Sequence, residues 1–217
     1  MKQFLSQNAR VAGPVWQKLA TGLSAFVSLL AFVAWGGSNG WHLAELSAYG
    51  WFPLFGLLAF SLLWAQYVTL AVILWQNVPA DALRTYFRTS GYVILIALVT
   101  HPSLLVWQLW RDGFGLPPES YLRHFVAPGM EWAALLGSFS LLIFLAYELH
   151  RWYGQRSWWR FVFYASDLGM LAIVWHGLAL GGELQHGWYR IAWICYTGVF
   201  IAALVYLRFG HRETRYH

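Results

Sequence analysis

Six apolar runs of at least about 17 residues confine this chain to a lipid bilayer. They extend from Leu19 to Trp35, Trp51 to Trp75, Tyr86 to Trp110, Phe125 to Tyr147, Trp159 to Leu180 and Ile191 to Leu207. Coiled as a helix, a run of that length covers a hydrocarbon core of roughly 30 Å, and only a helix pairs all its own backbone groups there. Just 11% of the 217 residues are charged, under half the share of a soluble domain. The sequence therefore predicts an all-α integral membrane fold, a six-transmembrane-helix bundle.

Orientation follows from the basic residues. With the N-terminus inside, Lys2, Arg10, Lys18, Arg84, Arg88, Arg151, Arg156, Arg160, Arg208, Arg212 and Arg215 are cytoplasmic, leaving only Arg111, Arg123 and Arg190 outside. That bias predicts both termini cytoplasmic. The net charge of +5 is then the asymmetry of an inserted protein, attractive to anionic lipid heads, and needs no nucleic acid. The first run lacks a small-residue cleavage site followed by a soluble domain, so it reads as a helix rather than a leader. Cys195 is the single cysteine, which excludes an internal disulfide and a Cys-x-x-Cys pair. Tryptophans gather near run ends, as at Trp51, Trp75, Trp107, Trp110, Trp158, Trp159 and Trp188, where they read as interfacial anchors.

The gaps between runs carry ordinary turn chemistry: "GGSNG" at 36 to 40, "NVPAD" at 77 to 81, "RDGFGLPPES" at 111 to 120 and "ALGGE" at 179 to 183. No Gly-x-Gly-x-x-Gly turn or Walker loop occurs. Residues 1–217 thus read as a single transmembrane domain with no soluble flavin or nicotinamide domain, no repeat and no low-complexity segment.

Ionisable groups inside a bilayer are costly and mark function, and here they are His101, His176, Glu131 and Asp167. The other histidines, His42, His124, His186, His150, His211 and His217, fall in loops, at a run end or in the tail. Counted along their helices, His101 and His176 lie at nearly one depth, in the outer half. Two imidazoles on different helices at one depth suit one flat cofactor held between them, haem b with His101 and His176 as axial iron ligands. Ala97 and Ala172 each precede a histidine by one turn, where a ring would press, and Gly91, Ser103, Gly169, Gly177 and Gly181 add room. Small residues equally serve close helix packing. Asp167 and Glu131 suit proton-coupled steps with quinone. Alternatively Asp167 pairs with Arg160 or Arg88, and Glu131 caps its helix or meets water. Arg111, Arg123, His124, His186 and Arg190 lie on the correct side for haem propionates, or form ordinary solvated loops.

The stretches "RTSGYVILIALVTH", "LLGSFSLLIFLAYELHRWYGQRSWWRF" and "YASDLGMLAIVWHGLALG" resemble the ferric reductase-like transmembrane domain family over the second to sixth runs. The family includes ferric reductases, NADPH oxidases and the haem subunit of a bacterial methionine sulfoxide reductase system. The resemblance implies a haem-bearing bundle that acts as an oxidoreductase or an electron-transfer subunit, with the histidines of the third and fifth runs as ligands. Many members stack two haems, with an inner ligand about 13 or 14 residues before each outer one; here those positions are Phe87 and Phe163. The expectation is one outer haem b, exchanging electrons with membrane quinone or an outer redox partner protein. A chain of this kind suits a prokaryotic plasma (inner) membrane. Two readings stay open beside it: a small proton-coupled transporter using His101, Asp167 and His176, with Pro102 marking a helix break, and a structural membrane subunit with packing histidines and no cofactor.

Overall fold

The computed structural model describes the backbone of residues 2–153 and 159–210, and the side chains of residues 13–79, 81–147 and 161–210. Arg156, Trp158, His211, Arg212, Arg215 and His217 lie outside the described residues, as do the side chains of Lys2, Arg10, His150, Arg151, Trp159 and Arg160. No strand occurs among the described residues. The helices are α1 (Lys2–Ser38), α2 (Ala48–Trp75), α3 (Arg84–Arg111), the short α4 (Glu119–His124), α5 (Glu131–Tyr153), α6 (Trp159–Leu180) and α7 (Trp188–Phe209). Among the described residues five helical stretches are long and apolar enough to cross a membrane: Gly13–Ser38, Ala48–Trp75, Asp81–Arg111, Phe161–Leu180 and Trp188–Phe209. The fourth expected span survives as a shorter apolar stretch, Glu131–Tyr147.

Its start moves because of local chemistry. Phe125 to Met130 were expected in the span, yet α5 begins at Glu131. Pro128 has no N–H to give to a preceding turn, and Gly129 adopts φ +85°, so a helix cannot pass through both. Upstream, the loop after α3 uses Gly113 and Gly115 at positive φ and then forms α4, where the sequence suggested only a turn.

α2 is the central helix, apolar on every face and flanked by α1, α3 and α7. α2 runs along α3, and α5 runs along α6, as two antiparallel hairpins that point the same way, while α3 and α5 meet only sparsely. That sparse seam leaves room between the hairpins. Phe60 of α2, which borders that room, stacks on Trp193 of α7 with centroids 3.9 Å apart.

With little hydrophobic drive between helices inside lipid, cross-helix hydrogen bonds help to hold the bundle. Buried indoles supply several. Trp35 Nε1 donates to the Gly50 carbonyl at 2.7 Å, Trp64 Nε1 to the Tyr196 carbonyl at 2.7 Å, and Trp193 Nε1 to the Val174 carbonyl at 3.3 Å. By contrast Trp75, Trp107, Trp110 and Trp188 are about half exposed or more, as anchors would be.

At the opposite end of the bundle from α4, α2, α6 and α7 meet at Asp167. Its carboxylate accepts from Tyr67 Oη at 3.0 Å and from Arg208 Nε at 2.7 Å, and Arg208 Nη2 also contacts it. The guanidinium lies over the Tyr164 ring, 4.8 Å from its centroid. Arg208 of α7 thus partners Asp167, a residue that the alternative of pairing with Arg160 or Arg88 did not include; the side chain of Arg160 lies outside the described residues. Sequence distance hides a pairing that depends on which helices touch.

Removing one member of a buried pair strands the other. Arg208→Met is expected to cost about 2 kcal/mol, less than a fully buried pair because Arg208 is partly exposed. The combination with Asp167→Asn should recover part of that loss. Thermal unfolding in detergent measures both, and an unchanged Tm for the single variant would contradict this role.

Candidate functional site

His101 of α3 and His176 of α6 border one cavity, each against a glycine of the neighbouring helix, so the two imidazoles lie at the common depth the sequence predicted. Each ring is held by the other helix of its own hairpin. Nδ1 of His101 lies 2.7 Å from the Phe52 carbonyl oxygen of α2, and Nδ1 of His176 lies 2.8 Å from the Ala133 carbonyl oxygen of α5.

A carbonyl can only accept, so in each bond Nδ1 carries the hydrogen. A neutral ring so fixed keeps its lone pair on Nε2, the state of a metal-ligating imidazole. The helical N–H four residues on uses one lone pair of the carbonyl, and the histidine uses the second.

Close approach of a ring to a helix backbone needs a missing side chain, and both hairpins provide it at the same offset. Four residues after Phe52 comes Gly56, and four after Ala133 comes Gly137. A Cβ on Gly56 would stand 2.8 Å from Cε1 and Nδ1 of His101. One on Gly137 would stand 2.5 Å from Cε1 and 2.6 Å from Nδ1 of His176. Neither glycine was singled out from the sequence. The signal was there: Gly56 is the single glycine of the second apolar run, and Gly137 is the glycine of the fourth run that lies beyond the Pro128–Gly129 turn.

Both histidines border a single cavity between the hairpins. Its lining continues seven residues past each glycine, to Leu63 and Phe144, about 10 Å by helix rise. Toward the other end it reaches Tyr121, Phe125 and the turn at Gly181 to Leu184. The walls are overwhelmingly apolar, with Glu183 the sole carboxylate and no Lys or Arg among the described lining residues.

No group of three or more His, Cys, Asp or Glu that could hold a bare metal ion occurs among the described residues. Two imidazoles are too few for a zinc-type site. They are enough for a metal whose other ligands come from a macrocycle, and apolar walls suit such a ring.

The remaining predicted residues distribute unevenly. Gly177 and Gly181 line the cavity. Ala97 is buried in the helix packing and Ala172 is half-buried, and neither borders the cavity; the wall three residues before each histidine is Leu98 and Ile173. Gly91 is buried in α3 about 15 Å below His101, also away from the cavity. Gly169 faces Phe144, and Ser103 is exposed on the far side of α3, donating to the Val99 carbonyl at 2.7 Å. Glu131 is the first residue of α5 and does not line the cavity.

The five residues considered for haem propionates lie at helix ends, in α4 or in a loop, and none lines the cavity. Arg111 is 3.8 Å from Asp112, Arg123 pairs with Glu119 at 2.9 Å, and Arg190 donates to the carbonyls of Leu184 and Gln185. His124 stacks on Phe114 with centroids 4.3 Å apart, and His186 is exposed. Pro102 lies inside α3, which continues past it to Arg111, so the helix is not broken there. No family model, no curated protein and no solved structure matches this chain.

Nitrogen-15 NMR of His-labelled protein should show the Nδ1-protonated tautomer at both His101 and His176. Gly137→Ala should abolish that signature at His176 and keep it at His101, and Gly56→Ala the reverse. A variant that leaves both rings unchanged would show that the glycines do not set the ring positions.

Proposed function

We propose that this chain is a membrane b-type cytochrome of the ferric reductase-like kind, with one haem b bound between the Nε2 atoms of His101 and His176. The observation that carries this reading is the duplicated arrangement: two histidines at one depth, each fixed in the ligating tautomer by a helix carbonyl over a glycine, on opposite walls of one apolar cavity. The haem would supply one-electron chemistry. The protein's own part is to orient the two imidazoles, to keep water from the ring through walls such as Leu98, Ile173 and Leu141, and to fix the ligand geometry before binding.

One haem rather than two is favoured by what fills the other half of the bundle. Phe87 packs edge-on to Tyr86 with centroids 5.1 Å apart, and Phe163 edge-on to Tyr147 at 5.6 Å. The Tyr67, Asp167 and Arg208 cluster lies close by, with Asp167 about 14 Å along α6 from His176. A chain with one haem near one face exchanges electrons with membrane quinone or with a redox partner on that side.

The same reading takes α5 as a sixth span. Its 23 residues rise about 34 Å, enough for the hydrocarbon core. Both termini are then cytoplasmic, in a prokaryotic plasma membrane.

Expression with haem supply, purification in detergent and a pyridine haemochrome assay test the proposal. One haem b per chain with a sharp reduced alpha band is expected. His101→Ala and His176→Ala should each lose the six-coordinate low-spin spectrum, whereas His124→Ala and His186→Ala should keep it. A haem-free protein, or a spectrum that survives either of the first two replacements, would overturn it.

A further inference from the structure

The histidine cavity is separated from the lipid by α3. On the outward face of that helix an open groove is lined by Pro102, Ser103, Val106, Trp107, Trp110 and Leu116. From Pro102 to Trp110 it follows α3 for about 12 Å. Trp107, Trp110 and Leu116 are 54%, 53% and 65% exposed, so the groove faces the surrounding medium, running from the apolar part of α3 at Pro102 to the helix end at Trp110 and the following loop at Leu116, the level of the membrane interface. Pro102 and Val106 line both the groove and the cavity, so a single layer of side chains divides them.

We propose that this groove takes the ring of a membrane-dissolved isoprenoid quinol and is the place where the bound cofactor receives its electrons. The inference rests on the haem reading above and adds the site and the donor. Trp107 and Trp110, with centroids 5.5 Å apart, offer a tilted pair of aromatic faces to a flat ring. Ser103 donates its hydrogen to the Val99 carbonyl, which leaves its oxygen as an acceptor for a quinol hydroxyl, and the indole N–H groups are donors for quinone oxygens. An isoprenoid tail can stay in the bilayer, because the groove is open along its lipid side. A water-borne partner would reach only the Trp110 and Leu116 end, because Pro102, Ser103 and Val106 lie inside the apolar span of α3, which disfavours it.

The redox step balances with the cofactor as oxidant. With haem held by His101 and His176, one quinol would supply one electron to the bound cofactor of each of two chains, lose two protons toward the nearby interface and leave as the quinone.

Two measurements separate this proposal from the haem reading. Photolabelling with an azidoquinone in nanodiscs needs no haem, and the label should map to the peptide 102–116. Ser103→Phe, which fills the groove from the lipid side without lining the cavity, should cut labelling about tenfold, and so should Trp110→Leu. In haem-loaded protein both variants should slow reduction by decylubiquinol about tenfold, while dithionite still develops the full reduced spectrum. Labelling elsewhere, labelling that excess phospholipid abolishes, or unchanged quinol reduction in both variants would overturn the groove assignment. Absence of haem with labelling intact would strike the haem reading and leave the groove standing.

Discussion

The interaction on which the site depends is a hydrogen bond from an imidazole N–H to a helix carbonyl, made possible by a glycine four residues on. In an apolar bundle an unpaired ring N–H costs several kcal/mol at the upper end of transfer scales, so a buried histidine needs such a partner to exist at all. A helix carbonyl is always present but normally screened by the side chain above it. Gly56 and Gly137 remove that screen, and the same bond that satisfies the ring also decides which nitrogen is left free. Satisfaction of the polar group and preparation of the ligand are therefore one event.

The device occurs twice because the bundle is built from two hairpins of the same sense, α2 with α3 and α5 with α6. In each, the first helix gives a carbonyl and a glycine and the second gives the histidine. Facing across a sparse seam, the two copies form a cavity that neither hairpin contains alone. The sequence shows no repeat because the duplicated content is just a glycine and a histidine set in interchangeable apolar residues. Parallel structural repeats of this type are common among membrane bundles and leave weak traces in sequence.

The opposite end of the bundle is organised by charge. Asp167 is held by a tyrosine of α2 and an arginine of α7, and this triad joins three helices at a point where α6 and α7 otherwise pack thinly. A carboxylate inside a bundle is tolerable when it is paired and hydrogen-bonded, and both conditions are met. The two ends thus use buried polarity differently. One end satisfies it completely to fix helix positions, and the other leaves two nitrogen lone pairs facing an apolar cavity.

Apolar run length located five helices that are long and apolar enough to cross a membrane, with starts that differ by up to about six residues, and residue counting placed His101 and His176 at one depth, because both are properties of distance along a helix. The start of α5 departed from that reading because Pro128 and Gly129 are as acceptable to an apolar window as they are unacceptable to a helix. What the sequence could not supply was azimuth. Whether Ala97 or Leu98 faces the cavity, whether Asp167 meets Arg88 or Arg208, and which carbonyl receives each imidazole depend on how helices rotate and touch. Every residue carries a carbonyl, so nothing in the letters marks Phe52 and Ala133 as acceptors. Packing alone chose them, by bringing two glycines under two histidines.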